Sequence, residues 1–276
     1  RQGVEGVRVS RPSDVTFGTD GWRAIIADNF TFERVDRVAR AITRFLLHEK
    51  KNRPIVIGFD TRFQSDRFAE CAARAAVATG AKVLLADRFV TTPMVSLAVK
   101  RLGAAGGIVV TASHNPPIYN GLKVKASYGG PAIGNMIQKI EHNYARLPRS
   151  FTAKSGVAPI KRIDLTNIYS DYLNEVMKWE SIRKLGLRLA VDYMYGAGQG
   201  YFSRFVRGHV SEVIELRADC DGDALVYRIM QRPDGACHTK AVSCFYRHAD
   251  GTKKHNAPNA GASIRHSEHQ QRSPGV

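Results

Sequence analysis

The stretch Thr111-Ala112-Ser113-His114-Asn115-Pro116-Pro117 places a hydroxyl, an imidazole and an amide in one short loop, and Lys123 and Lys125 follow within a few residues. A loop serine is usually only a turn-former, so the chemistry has to come from its neighbours. Acyl transfer does not fit. There is no G-x-S-x-G elbow, and His114, directly adjacent in sequence, is badly placed to act as base toward Ser113. A hydroxyl ringed by His114, Asn115, Lys123 and Lys125 is instead suited to holding a phosphoryl group, because cations and N–H donors stabilise its oxygens.

Such a loop needs firm anchors, and the flanking pattern predicts them. Ile108 to Thr111 read as a buried strand, Asn120-Gly121 as a tight-turn pair, and Leu122 to Lys125 as a following strand. Upstream, Thr31 caps an amphipathic helix carrying Val35, Val38, Ile42 and Phe45 on one face, and Ile55 to Ile57 form a short strand. At that strand's carboxyl end Asp60 and Arg62 open a loop, and a structural role, an ion pair or loop hydrogen bonds, is expected of them. Helix, strand, helix and strand then alternate to residue 111. The predicted fold class is α/β, a three-layer α/β/α arrangement with a mixed, largely parallel sheet, followed by an incomplete second α/β domain. Sheets of this kind present ligands at the carboxyl ends of their strands.

Four segments are expected: an N-terminal arm at 1–14, a first domain at 15–155 carrying the serine loop, the start of a second α/β domain at 156–217, and a divergent tail at 218–276. The tail breaks the pattern. It holds five of the nine histidines, three of the four cysteines and little periodicity, which predicts disorder or a frame-shifted coding sequence. The net charge is +16; residues 218–276 hold 8 Lys+Arg against 6 Asp+Glu, so +14 lies in residues 1–217. That excess suits phosphorylated small molecules or a polyanion, although the basic residues are scattered along helical segments in the manner of a solvated surface. Cys71, Cys220, Cys237 and Cys244 form no CxxC pair, which argues against a redox site or a disulfide framework. The spacing of Cys237, Cys244, His248 and His255 matches no common zinc finger. With no membrane-length apolar run and no secretory h-region, a cytoplasmic location without membrane contact is expected. The missing initiator Met suggests a processed chain or a fragment.

The segment TASHNPPIYNGLKVK at 111–125 closely resembles the active-site serine motif of the α-D-phosphohexomutases, the phosphoglucomutase and phosphomannomutase superfamily. FGTDGWRA at 17–24, GFDTRFQS at 58–65 and TTPMVSLAV at 91–99 match further family segments in the same order. The resemblance covers about residues 15–217 and, through Gly21-Trp22-Arg23 and Tyr119-Asn120-Gly121, favours the glucose/mannose branch.

It implies reversible movement of phosphate between the 1 and 6 positions of a hexose by way of a phosphoserine at Ser113 and a hexose 1,6-bisphosphate intermediate. It also implies Mg2+ bound through the Ser113 phosphate, Lys123 and His114 as further catalytic groups, and Arg23 and Asn115 as phosphate or substrate ligands. The partner is then a sugar phosphate and not nucleic acid. Asp219, Asp221 and Asp223 alternate as a metal loop would, but Ala224 stands where the family has arginine. The family chain is longer, so a truncated form with weak or no activity is expected. The alternative is a non-catalytic basic α/β binding module, for a polyanion or a partner chain, that retains the loop.

Overall fold

The computed structural model describes residues 15–18, 21–148, 159–218 and 245–247. Six strands, β1 (Trp22–Ile25), β2 (Ile55–Phe59), β3 (Val83–Ala86), β4 (Gly106–Val110), β5 (Tyr119–Ala126) and β6 (Lys161–Ile163), form one sheet in the order β1-β5-β4-β2-β3-β6. The pairs β4–β2, β2–β3 and β3–β6 are parallel, whereas β5 is antiparallel to both β4 and β1. The sheet is therefore mixed, with its antiparallel part at the serine loop.

Helices α1 (Phe32–Glu49), α2 (Ser65–Ala78) and α4 (Gly134–Ala145) cover one face, and α3 (Thr92–Arg101) and α5 (Leu165–Val176) the other. Local rules start these helices where expected. Thr31 accepts a hydrogen bond from the Arg34 N–H at the head of α1, and a proline stands in the first turn of α3. Both faces of β4 are approached closely: a Cβ on Gly106 would meet Leu46 of α1 at 2.5 Å, and one on Gly107 would meet Val99 of α3 at 2.8 Å. Val35, Ile42, Ile57, Leu85, Ile108 and Leu122 lie fully buried between these layers.

Two expectations change here. Asn120 and Gly121 form no turn; both are inside β5, where Gly121 faces Arg23 across the β1 ladder. A Cβ there would meet the carbonyl oxygens of Trp22 and Thr111 at 2.7 and 2.8 Å, so the glycine serves close strand packing. Beyond the expected boundary at residue 155, β6 and α5 still join the first sheet and its helical layer, with Leu165 buried in the same core. A second unit begins after α6 (Trp179–Lys184). It has β7 (Arg188–Asp192), α7 (Tyr201–Val206), β8 (Glu212–Leu216) and β9 (Phe245–Arg247), with strand order β8-β7-β9. Tyr201 anchors it to the first unit by donating to the Phe89 carbonyl at 2.5 Å. The remaining residues called a tail lie outside the described residues.

Cys71 is buried in α2, and that burial pushes its thiol up to about 11. Its thiolate is therefore scarce at pH 8. Iodoacetamide labelling followed by peptide mapping is expected to modify Cys71 at least about tenfold more slowly in the native protein than in the unfolded chain; equal rates would contradict the packing.

Candidate active site

Ser113 lies just beyond the carboxyl end of β4, solvent-exposed, with left-handed backbone at φ 57°. A non-glycine residue keeps such a conformation only where its surroundings enforce it. The Ser113 N–H donates to Thr111 Oγ1 at 3.0 Å, and the Asn115 N–H to the Ala112 carbonyl at 3.1 Å.

The larger constraint is Arg62. Its Nη2 donates to the carbonyls of Ser113 and Asn115 at 2.8 and 2.7 Å, and its Nη1 to those of Pro116 and Tyr119, both at 3.0 Å. One guanidinium thus ties together the whole loop. Its fork geometry makes this possible, since the donors are fixed in one plane and carry full charge.

Behind Arg62 stands Asp60, whose Oδ2 is 3.4 Å from the Arg62 Nε. Asp60 Oδ1 accepts from the Arg62 N–H at 3.0 Å and from Ser65 Oγ at 2.8 Å. Ser65 in turn accepts from Asn120 Nδ2 at 2.9 Å, and Asn120 Oδ1 takes the Gly121 N–H at 2.8 Å. A polar chain therefore runs from β5 through the start of α2 to the loop. Burial raises the Asp60 carboxyl above its ordinary value, opposed by hydrogen bonds from Thr111 and Ser65 and by the Arg62 charge. The expected structural role of Asp60 and Arg62, an ion pair and loop hydrogen bonds, is what these contacts are.

Arg23 on β1 donates from Nη1 to Asn115 Oδ1 at 3.0 Å, so these two candidate ligands meet each other. Lys123, on β5 opposite Val109, is largely buried, as is Lys125. His114 is exposed next to Ser113. A cleft of about 360 Å³ opens between Ser113 and Asn115 on one side, Thr91 and Thr92 at the start of α3 on another, and the Tyr195–Gly198 turn of the second unit. Lys123, Lys125, Arg23 and His114 are not among its lining residues. The turn is fastened by Thr61 Oγ1 donating to the Tyr195 carbonyl at 3.0 Å. Sequence reasoning did not place this turn at the site; its run of glycines and small residues, Gly196-Ala197-Gly198, was the available signal.

The cleft suits an anion. The ten-residue helix α3 turns its positive end to it, and the buried charge of Arg62 lies under the loop. Residues 14–149, which contain this loop and its whole cradle, match the family model "Phosphoglucomutase/phosphomannomutase, alpha/beta/alpha domain I". The chain belongs to the α-D-phosphohexomutase superfamily.

Among this superfamily's members, a phosphoglucosamine mutase of Caldicellulosiruptor bescii is 31% identical over 211 residues, 75% of this chain and 46% of that one. A phosphoglucomutase of Staphylococcus aureus is 40% identical over 123 residues, 42% of this chain and 22% of its own. The crystal structure of a putative phosphomannomutase from Thermus thermophilus superposes with a TM-score of 0.70 at 35% identity, covering 78% of this chain and 48% of that one. The chain thus spans about half the length of these phosphohexomutases where it aligns most fully. Glucosamine and glucose names both occur among these relatives.

A second family model, phosphoribosyl-AMP cyclohydrolase, matches residues 206–246. The change of texture after Arg217 coincides with this match, which sequence reasoning missed. Asp219, Asp221 and Asp223, like Cys237, Cys244, His248 and His255, lie outside the described residues. Among the described residues no three Asp, Glu, His or Cys side chains converge on a possible cation, and Asp60 is committed to Arg62 and Ser65. The described donor set therefore does not by itself fit a magnesium site, and no step is derived through one. No described helix is long and apolar enough to cross a membrane.

Proposed function

We propose that this chain carries the phosphoserine half of a phosphohexomutase reaction on a sugar phosphate, with Ser113 as the residue that gives and receives the phosphoryl group. What supports this reading is the placement of Ser113: an exposed hydroxyl on a strained loop, at a strand end, above a charged clamp and facing a helix N-terminus. A phosphate on Ser113 Oγ would meet the positive end of α3 and the field of Arg62.

In the donating direction, a sugar hydroxyl attacks the phosphorus, the Oγ–P bond breaks, and Oγ leaves as the serine alkoxide or hydroxyl. Transfer passes through a loose transition state with charge on the peripheral oxygens, so catalysis rests on orientation and charge more than on covalent help. The loop clamp supplies orientation. Arg23, held by Asn115, supplies a bidentate-capable cation at the edge of the loop, and His114 a substrate contact beside it. Lys123 is the proposed carrier of the attacking proton or of charge. A magnesium ion held through the Ser113 phosphate would neutralise part of its charge, but no step is routed through it, because among the described residues no three acidic, histidine or cysteine side chains converge to hold one. Movement between the 1 and 6 positions of a hexose, through a hexose 1,6-bisphosphate, is the specific form proposed.

The test is intact-protein and peptide mass spectrometry after incubation with glucose 1,6-bisphosphate and magnesium, with Ser113→Ala as control. One phosphate mapped to Ser113 is expected, and none on the variant. A folded sample that takes up no phosphate, or takes it elsewhere, would overturn the reading.

A further inference from the structure

A second cleft, of about 420 Å³, lies where the parallel strands begin, at the opposite end of the sheet from Ser113. Arg44 and His48 from the last turns of α1, Lys51 and Arg53 from the connection to β2, and Lys82 just before β3 all line it. No acidic residue does. Glu49, adjacent to His48 in sequence, has its Oε1 3.0 Å from Lys139 Nζ and 3.7 Å from His48 Nδ1, and the Lys139 hydrogen bond holds the carboxyl below its ordinary value.

Basic side chains at helix C-termini have an ordinary purpose, to offset the negative end of the dipole, and both α1 and α2 end at this cleft. That purpose accounts for only part of the charge. Two helix ends present about −0.5 each, about −1 together. Arg44, Lys51, Arg53 and Lys82 bring four full positive charges, and among the described residues none of them has an ion pair or side-chain hydrogen bond. A surplus of about three charges, with His48 beside it, is left facing one concavity.

We infer that this cleft binds a small oligophosphate, a ligand with two or more linked phosphate groups. The chemistry follows from charge and size. Three or more unpaired cations in a space within the range of small-ligand sites match a compact polyanion, and arginine forks and lysine ammonium groups are the side chains that coordinate phosphate. A free oligophosphate and a nucleoside triphosphate share this chemistry. The site is independent of the reaction at Ser113, because the length of the sheet separates them.

The test is calorimetric titration of the full chain at low ionic strength with inorganic tripolyphosphate and, separately, with ATP, joined to acetylation footprinting of lysines. Saturable binding is expected, together with protection of Lys51 and Lys82 but not of Lys184 on α6. The Arg53→Ala/Lys82→Ala variant should weaken binding at least about tenfold, the equivalent of one lost charged contact. Ser113→Ala should leave it unchanged, so failure here is separable from failure at the serine. ATP and tripolyphosphate of equal affinity would assign the phosphate chain alone; ATP at least about tenfold tighter would assign a nucleotide. If the double variant does not fold, the footprint on the native chain decides. Absence of binding, binding without protection of Lys51 and Lys82, or a single-stranded oligonucleotide that outcompetes both phosphates from this cleft would overturn the inference.

Discussion

Replacing Arg62 by alanine is expected to slow phosphorylation of Ser113 by about 10²- to 10³-fold while leaving the protein folded. Ser113 sits at φ 57°, a conformation that costs a non-glycine residue about 1–3 kcal/mol and relaxes once its restraints are gone. Arg62 supplies four of those restraints at 2.7–3.0 Å. Removing them lets the loop shift, and a displacement of about 1 Å at a reacting atom costs about 10²-fold in rate; loss of the positive charge under the phosphate adds to that. Arg62→Lys separates the two contributions, because lysine keeps the charge but offers no planar fork to reach four carbonyls. It should recover less than a tenth of the lost rate, whereas free guanidinium added to Arg62→Ala should recover more. The measurement is a time course of Ser113 phosphate by mass spectrometry, normalised to the folded fraction. A near-native rate in Arg62→Lys would show that charge alone matters and that the clamp geometry does not.

Much of this arrangement was legible in the residues. Period and caps located α1, the strands and the loop, since Thr31, the buried run at 55–59 and Pro93 act locally. The serine loop stood out because its residue types are unusual together. What stayed hidden depends on distant partners. Asn120-Gly121 has the local chemistry of a turn, yet pairing with β1 and β4 on both sides holds it extended, so tertiary hydrogen bonds override the local preference. The short strand β6, Lys-Arg-Ile, carries no alternation by which to detect it, and only its partner β3 makes it a strand. Arg62 was expected to make loop hydrogen bonds, but its four acceptors are backbone carbonyls, which no sequence pattern marks. The Tyr195–Gly198 turn reaches the cleft because Tyr201 and Thr61 fasten the second unit to the first, contacts across more than a hundred residues.

The charge surplus shows the same limit from the other side. Counting residues assigns +14 to residues 1–217 and spreads it over helical surfaces. Folding gathers four of those basic residues from α1, its following connection and the residue before β3 into one concavity, while others meet a carboxylate, as Arg40 meets Asp36 and Arg162 meets Glu70. Composition reports the sum; only topology decides whether like charges meet.

Substituting Gly21 by alanine is expected to destabilise the protein by about 2–4 kcal/mol, a fall of about 5–15 °C in Tm for a domain of this size. Gly21 has φ 132°, and a Cβ built on it would lie 2.2 Å from the Leu122 carbonyl oxygen and 2.8 Å from the Lys123 Cα. Both obstacles are backbone of β5, a central strand that cannot yield without breaking its ladder to β4. The chain has to open the β1–β5 contact instead, which moves Arg23 away from Asn115 and loosens the loop from that side. Gly80 provides the control. Its φ is 105°, but nothing lies within 4 Å of the added Cβ, so Gly80→Ala carries backbone strain without a clash and should cost only about 1 kcal/mol. Thermal melts of the two variants, with Ser113 phosphorylation measured on each, decide the matter. Gly21→Ala should be worse in both readouts, and a Gly21→Ala protein as stable as Gly80→Ala would mean that β1 does not close on β5 at that point.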